Sequence, residues 1–262
     1  MAAVFLSGPV AHACNGPGST VIDAIYPSGD EVPENLLRFY LYFSAPMAAE
    51  DVLSSVRLRD SDGQNVEGVF LSNRFDLWSP DRTRLTLLLD PGRVKTGLDA
   101  HNELGRALIA GEHYELTIDT GLIDYDQCNL AEDYVHRFEA TLEDTSAPDP
   151  AQWQIETPAS GSRDPVSIDL GTPHDHLSMA FRVRVRDTNG DTVRGQVRLT
   201  DHEAGWQFKP EAPWDVQRYT ISIGEEFEDL AGNRPGRTFD QPVGQRLPQP
   251  SLVRSFQPKS GS

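Results

Sequence analysis

A ten-residue sequence occurs twice in this chain, and the two copies start at residues 59 and 186. The first reads RDSDGQNVEG and the second reads RDTNGDTVRG. Each copy follows an alternating apolar run, made of Val56 and Leu58 in the first half and of Phe181, Val183 and Val185 in the second. Because an Asp followed closely by a Gly lets the backbone reach positive φ at low cost, each copy is predicted to reverse the chain between two strands. The repeat therefore indicates one β-hairpin that is used twice.

The similarity between the two halves extends beyond this hairpin. Residues 113–119 (HYELTID) correspond to residues 218–224 (RYTISIG), and both segments alternate with the period-two pattern of a strand. Residues 123–129 then correspond to residues 227–233. A closing strand is expected after each of them, with Phe138 in the first half and Phe239 in the second. A duplication at this spacing indicates two copies of one small domain rather than a solenoid, whose units are far shorter.

The duplication divides the 262 residues into two domains, each long enough to bury a core of its own. The predicted segments are a signal-peptide remnant or disordered leader (1–20), a first domain (21–143), a linker (144–150), a second domain (151–244) and a disordered tail (245–262). The linker is predicted because it is acidic and contains prolines, and the tail because it contains three prolines and ends in Lys-Ser-Gly-Ser.

The first domain is longer than the second by an insert near residues 89–110. This insert contains four basic or titratable side chains in an otherwise acidic protein: Arg93, Lys95, His101 and Arg106. Loops that elaborate a repeated scaffold frequently carry binding residues, so these four are candidate binding residues. The alternative is a structural crossover that covers one edge of a sheet.

The charge of the chain limits its partners. Forty acidic residues against 23 basic ones give a formal net charge of −17, which opposes binding to nucleic acid and to anionic membrane surfaces. No run approaches the roughly 18–20 apolar residues that cross a bilayer, so no transmembrane segment is predicted.

The start of the chain indicates export. Residues 2–10 are short and apolar, and Ala11-His12-Ala13 forms a small-x-small site directly before Cys14, as at the end of a secretory signal. Cys14 then has two predicted fates. It is either a lipid anchor, or the partner of Cys128, the other cysteine of the chain, in a disulfide. The disulfide is favoured because the start of the first strand and the loop between the last two strands lie at the same end of a seven-stranded sandwich.

Two motifs resemble a known family. Residues 26–33 (YPSGDEVP) followed by residues 43–47 (FSAPM), and the turn at residues 228–233 (EDLAGN), are similar to motifs of the bacterial Ig-like domain family named after the S-layer protein SbsA. The second copy departs from them, since residues 170–174 (LGTPH) stand where the first copy has FSAPM. The resemblance implies an all-β chain with two tandem Ig-like antiparallel β-sandwich domains. It also implies an exported, noncatalytic spacer or binding module of a cell envelope.

Metal binding is the first alternative. His174, His176 and Met179 form the densest group of metal-capable side chains, and two imidazoles with a thioether suit copper. Two histidines separated by one residue point to the same face if the segment is extended. Calcium is the other candidate ion. The turns at residues 60–63 and 187–191 lack the glutamate of an EF-hand, so the acidic pairs Asp124/Asp126 and Glu228/Asp229 are the remaining candidates. The competing interpretation is a set of solvated turns.

Carbohydrate binding is the second alternative, because exposed tryptophans stack on sugar rings. Trp206 corresponds to Trp78 and is predicted to belong to the scaffold, whereas Trp214, between Pro213 and Asp215, is the candidate for exposure. The motifs of nucleophile elbows, zinc proteases, phosphate loops and Cys-x-x-Cys redox sites do not occur in the sequence. The sequence therefore predicts no enzyme and no cofactor.

These observations predict a noncatalytic structural or binding module that is secreted, periplasmic or on the cell surface. Its expected partner is a protein or a glycan at the cell envelope. A periplasmic metal-binding protein and a carbohydrate-binding accessory module remain the alternatives.

Overall fold

Two β-sandwiches follow one another along the chain in the computed structural model, which describes residues 20–72, 77–95, 105–240 and 247–260. The first sheet of the first sandwich consists, in order across the sheet, of β1 (Ile22–Tyr26), β3 (Arg38–Phe43), β6 (Arg84–Leu88) and β5 (Leu77–Trp78). The second sheet consists of β2 (Glu31–Pro33), β8 (Tyr134–Thr141), β7 (His113–Ile118) and β4 (Val56–Arg59). Neighbouring strands are antiparallel except β2 and β8, which are parallel.

The second sandwich repeats this arrangement. Its first sheet has the order β12 (Gly195–Thr200), β13 (Gly205–Pro210), β10 (Val166–Asp169) and β9 (Gln154–Glu156). Its second sheet has the order β11 (Val183–Arg186), β14 (Tyr219–Ile223) and β15 (Val253–Phe256). If the strands of each sandwich are lettered A to G along the chain, leaving β2 aside, they pair as A-B-E-D and C-F-G, which is the order of constant-type immunoglobulin domains. β2 adds a fourth strand to the second sheet of the first sandwich. The predicted all-β fold with two Ig-like sandwiches is therefore confirmed.

Each sandwich has its own apolar core, formed by residues that alternate along the strands. In β7 the side chains of Tyr114, Leu116 and Ile118 are buried, and those between them are not. In β14 the same pattern buries Tyr219, Ile221 and Ile223. Period-two alternation is what the pleat of a half-buried strand requires, so these strands were predictable.

The same five-residue turn occurs four times, twice in each sandwich. Each turn begins with an aspartate and has a positive φ at its fourth residue, at Gly63, Gln127, Gly190 and Gly232. The carboxylate of the aspartate accepts the N–H of the fifth residue at 2.8–3.0 Å in all four. These are features of a three-residue hairpin loop with a bulge. The repeated sequence at residues 59 and 186 thus forms the predicted turn twice, although the returning chain makes one bridge before it crosses to the other sheet.

The second half differs from the prediction in three places. The turn that starts at Asp124 matches the one that starts at Asp229, so the alignment of residues 123–129 with 227–233 was wrong by one position. The closing strand of the second sandwich is β15, which lies within the predicted disordered tail. In this strand Phe256 pairs with Tyr219, as Phe138 pairs with Tyr114 in the first sandwich. Phe239 is outside the strands and packs against the first core.

Two short α-helices interrupt the β structure of the described residues. α1 (Pro91–Val94) lies in the insert, and α2 (His176–Arg182) precedes β11. Phe181 therefore belongs to a helix and is exposed, although its alternation with Val183 predicted a strand. Within the described residues, no helix is long and apolar enough to cross a membrane.

Candidate functional site: the junction between the sandwiches

The two sandwiches meet along β3, which is buried on both of its faces. Phe39 and Leu41 belong to the first core. Tyr40, which points to the opposite face, is only 3% exposed because the second sandwich covers it. Arg38 lies on the same face as Tyr40, in a strand that is otherwise aromatic or aliphatic. A charge at such a position requires a partner, since burying an unpaired charge is very costly.

Arg38 is the centre of a partly buried network of charged groups, in which its own side chain is 24% exposed and those of Asp175 and Glu228 are 6% and 12% exposed. Its guanidinium donates a hydrogen bond to Glu228, and its Nε lies 3.9 Å from Oδ2 of Asp175. The Tyr40 hydroxyl donates to the same oxygen of Asp175 at 2.7 Å. Arg234 donates to the other oxygen of Glu228 at 2.7 and 2.9 Å. Burial alone would lower the pKa of Arg38, but its neighbours raise it above the usual range, so the arginine keeps its charge.

Helix α2 positions the carboxylates that meet Arg38. Asp175 is the N-cap of this helix, and its Oδ1 accepts the N–H of Ser178 at 2.8 Å. This leaves Oδ2 to face Tyr40 and Arg38. The Ser178 hydroxyl in turn accepts the N–H of Glu228 at 3.1 Å. The cap therefore ties the helix to the segment after β14, and both of them to the first sandwich.

The linker is held by one asparagine from each sandwich. Asn35 donates to the carbonyl oxygen of Asp144 at 2.9 Å and accepts the N–H of Asp144 at 2.9 Å. Asn233 donates to the same carbonyl oxygen at 3.0 Å. Asp229, which accepts the N–H of Asn233, is almost fully buried. Burial, together with the nearby Asp144, raises the pKa of Asp229 to about 8.

The turn at Asp229 also inserts into the first sandwich. Leu230 is part of the first core, and its carbonyl oxygen accepts the N–H of Leu37 at 3.0 Å. Gly232 packs so closely on Leu37 that a Cβ at this position would overlap the Leu37 side chain. The turn therefore contributes backbone as well as side chains to the junction.

A left-handed turn at the end of β12 forms the second contact region. Asp201, His202 and Glu203 have φ values of 52°, 51° and 66°, a conformation that costs about 1–2 kcal/mol per residue for L-amino acids. Glu203 is 3% exposed and accepts both the N–H and the hydroxyl of Ser28 at 2.8 Å. Burial raises the pKa of Glu203. The contacts with Ser28 hold the turn in this conformation.

His176 lines a cleft of about 820 Å³ together with Tyr26 and Ser28 of the first sandwich and residues 197–203 of the second. Its ring stacks on Tyr26 with a centroid distance of 3.6 Å and meets Tyr42 edge-on at 5.4 Å. Its Nδ1 is buried and has no hydrogen-bond partner among the described residues. Burial and the charge of Arg84 lower the pKa of His176 to about 4, so the ring is neutral at pH 7.

The predicted copper ligands are not brought together. His174 lies in the second core, where its ring contacts Trp153 and Phe227, whereas His176 faces the first sandwich. Met179 is fully buried in the second core. The prediction assumed an extended segment, but helix α2 begins at His176 and turns its ring away from that of His174. In the part of the chain that the structure describes, no group of three His, Cys, Asp or Glu side chains is arranged to hold a metal ion.

The acidic turns named as calcium candidates have partners within the protein. Asp124 accepts the N–H of Cys128 at 2.9 Å and the hydroxyl of Thr20 at 2.8 Å. Glu228 and Asp229 belong to the junction described above. Asp124, Glu228 and Asp229 therefore stabilise turns and the junction, whereas Asp126 is exposed, and calcium binding stays a prediction.

The described insert residues contact the protein itself. Arg93 is 6% exposed and donates to the main-chain carbonyls of Glu67, Gly105 and Arg106 at 2.7–3.0 Å. Arg106 pairs with Glu34 and Glu143. Lys95 lies 4.3 Å from the centre of the Phe239 ring. His101 lies outside the described residues. These contacts are those expected if the insert is a structural crossover. Binding by the four residues stays a prediction.

Trp214 was the candidate for an exposed, carbohydrate-binding ring. Trp214 is 2% exposed and its Nε1 donates to the carbonyl of Asp164 at 2.8 Å, so the expectation of an exposed ring was wrong. Trp206 lies in β13 and Trp78 in β5, so the two do not correspond.

Cys128 is disulfide-bonded. Cys14 lies outside the described residues, and its pairing or lipidation stays a prediction.

Arg38 is a sequence signal of the junction that the pattern analysis missed. Arg38 interrupts the apolar sequence RFYLYF of β3, and a charged residue in such a strand indicates a buried partner. The identity of its partners was not predictable, because Asp175 and Glu228 lie more than 130 positions away.

The chain matches no protein-family model and no curated protein sequence. Among solved structures it is similar to native alpha-2-macroglobulin from Escherichia coli, domains MG0-NIE-MG1, with 11% identity, a TM-score of 0.31 and coverage of 92% of this chain and 72% of that one. It is similar to the surface layer protein SbsC, domains 1–6, with 10% identity, a TM-score of 0.32 and coverage of 79% and 24%. The N-terminal Ig1-2 module of the Drosophila receptor protein tyrosine phosphatase DLAR gives 13% identity, a TM-score of 0.23 and coverage of 94% and 97%. At these scores none of the three indicates a function for this chain.

Proposed function

We propose that this chain is a noncatalytic structural and binding module in which two Ig-like sandwiches act as one stiff unit. The observation that carries the proposal is the buried polar junction around Arg38, Tyr40, Asp175 and Glu228. Flexible linkage between domains leaves their facing surfaces hydrated, whereas these groups are buried and bonded across the junction. Two further regions, at Ser28 and at the linker, fix the relative rotation of the sandwiches.

We further propose that the module works outside the cytoplasm, as a secreted, periplasmic or cell-surface protein related to the SbsA-type family. The disulfide at Cys128 supports this location, since structural disulfides persist in oxidising compartments. The net charge of −17 favours solubility in such a setting. Fractionation of cells that make the protein tests the location: recovery in the cytosol with both cysteines reduced would contradict it.

Small-angle scattering of the full chain tests the stiff unit. The radius of gyration is expected to stay constant between 0.05 and 1 M salt, because buried pairs are screened far less than exposed ones. Arg38→Met is expected to increase it. Arg57→Gln, which breaks an exposed pair with Asp119, is the matched control and should leave it unchanged. A wild-type radius that rises with salt to the value of Arg38→Met would refute the proposal.

A further inference from the structure

The outer face of the β11-β14-β15 sheet is basic, in a protein whose net charge is −17. None of the three strands contains an acidic residue. Their register places Arg184 beside Ser222 and Val253, and Arg186 beside Thr220 and Ser255. Val253 is 51% exposed. Arg218 and Lys259, just beyond the strand ends, are also exposed. We call this surface the basic sheet face.

The first sandwich shows what such arginines contact when carboxylates are present. Its strand β4 reads VRLR, and β11 reads VRVR. Arg57 in β4 lies 2.5 Å from a carboxylate oxygen of Asp119. Arg59 lies 3.9 Å from Glu115, which also pairs with Arg137 at 2.7 Å. In the first sandwich the charges of this face are therefore neutralised within the sheet.

The second sandwich keeps the arginines and lacks the carboxylates. The register of β11 and β14 places Gly224 and Thr220 where the first sandwich has Asp119 and Glu115. Arg184 donates to the main-chain carbonyl of Val183 at 2.9 Å, and Arg186 donates to that of Gly190 at 2.9 Å. Neither arginine forms an ion pair within residues 20–72, 77–95, 105–240 and 247–260, nor does Arg218 or Lys259. Arg184 and Arg186 thus share one sheet face without a counter-charge from that part of the chain, and the exposed Arg218 and Lys259 follow just beyond the strand ends.

We propose that the basic sheet face binds an acidic, extended segment of a partner protein, which lies across the three strands. Charge complementarity carries this inference: the partner supplies the carboxylates that Asp119 and Glu115 supply in the first sandwich. The small side chains of Thr220, Ser222 and Ser255 let a segment approach the sheet closely. The strongly negative remainder of the surface repels an acidic segment elsewhere and so confines binding to this face. The inference deepens the proposed binding role and rests on it.

The probe is a ten-residue synthetic peptide of alternating glutamate and threonine, titrated into the full ¹⁵N-labelled chain in 50 mM salt. Amide resonances of β11, β14 and β15 are expected to shift with saturation, and the affinity should fall at least tenfold in 500 mM salt. A peptide with glutamine in place of glutamate should cause no saturable shift. A single-stranded oligonucleotide of equal charge should bind more weakly than the acidic peptide.

The variant Arg184→Gln/Arg186→Gln should weaken peptide binding at least tenfold, whereas the matched variant Arg57→Gln/Arg59→Gln should change it less than twofold. If the first variant does not fold, because Arg186 also bonds the hairpin, Arg218→Gln/Lys259→Gln replaces it and should weaken binding at least threefold. Thermal unfolding checks that each variant is folded.

The inference would be overturned by no shift up to millimolar peptide, by shifts away from the sheet, by equal loss in both variant pairs, or by equal binding of the oligonucleotide. Shifts that depend on protein concentration alone would also overturn it, since the occupant would then be a second copy. Absent peptide binding combined with a constant radius of gyration would refute this inference and leave the stiff unit intact. A salt-dependent radius would refute the stiff unit instead.

Discussion

A few buried polar side chains decide how the two sandwiches are joined. Arg38 is charged in an apolar strand, and its partners Asp175 and Glu228 belong to the other sandwich. His176 is neutral, stacked on Tyr26, and has a buried ring nitrogen with no partner in the described part of the chain. The first arrangement ties the two sandwiches together, and the second makes the folded protein sensitive to acid.

Replacing Arg38 by methionine should lower the free energy of unfolding by about 3 kcal/mol, because the buried Asp175 loses its cationic partner and Glu228 keeps only Arg234. Urea unfolding of the full chain measures this. Arg57→Gln is the control: its side chain is 41% exposed and pairs with Asp119, so its loss should cost below about 1 kcal/mol. Equal, small effects of both variants would mean that the Arg38 network contributes little.

Acidification from pH 7 to pH 5 should destabilise the wild-type protein more than His176→Phe. The pKa of His176 is lowered to about 4 in the folded protein, so in this range the unfolded chain takes up a proton that the folded ring does not. The stabilising difference is complete above the ordinary histidine pKa of about 6.5 and is lost as the pH falls through 4. We expect the difference between the two proteins to change by roughly 1 kcal/mol, allowing for the partial exposure of the ring. Identical pH profiles in urea unfolding would contradict this.

Sequence alone identified the candidate residues of the junction poorly, for a physical reason. Local patterns report which side chains face a core, but His174 and His176 are separated by the start of a helix, which the apolar alternation around Phe181 concealed. Asp175 is a typical N-cap residue, so the sequence did indicate that a helix starts here. A helix start between His174 and His176 predicts that their rings point in different directions.

At the scale of elements, turns and strands were predictable where the local sequence alone determines them. The turns at Asp60 and Asp187 followed from their Asp and Gly residues. β15 was missed because its sequence VRSF is short, lies between prolines, and alternates apolar with polar for only one cycle. Its place in the sheet depends on pairing with β14, which is more than thirty positions away.

Gly190 and Gly232 have similar backbone conformations but different surroundings. Substitutions at the two positions therefore distinguish the backbone cost of a turn from the cost of its packing against Leu37. Gly190 has a φ of 86° and a Cβ there would meet nothing within 4 Å, whereas Gly232 has a φ of 76° and a Cβ would overlap Leu37. Gly190→Ala should therefore cost about 1–2 kcal/mol, the backbone term alone. Gly232→Ala should cost at least about 2 kcal/mol more, since overpacking adds to it. Thermal unfolding compares the two, and equal costs would contradict the close packing at Leu37.

Phe256 tests whether β15 belongs to the second sandwich. The side chain is buried against Trp214 and Tyr219, with ring centroids 5.4 and 5.5 Å away. Phe256→Ala should cost about 3–5 kcal/mol. Val253→Ala, in the same strand but 51% exposed, should stay within about 0.5 kcal/mol. If both variants unfold at the wild-type urea concentration, the residues of β15 do not contribute to the core.

At the scale of the whole molecule, the duplication predicts two sandwiches but not how they meet. Each copy fixes its own core through alternation and turns, which are local. The junction depends mainly on places where the copies differ, namely helix α2 and the left-handed turn at residues 201–203. A comparison of the two half-sequences cannot predict structural features that occur in only one half.

The central claim is that the two sandwiches form one rigid body through this junction. Residual dipolar couplings of backbone amides in both sandwiches, measured on the full chain in one alignment medium, test it most directly. We expect a single alignment tensor to fit the amides of β3, β6, β7 and β8 together with those of β10, β13 and β14. Two tensors of different magnitude, one for each sandwich, would show independent motion and contradict the account.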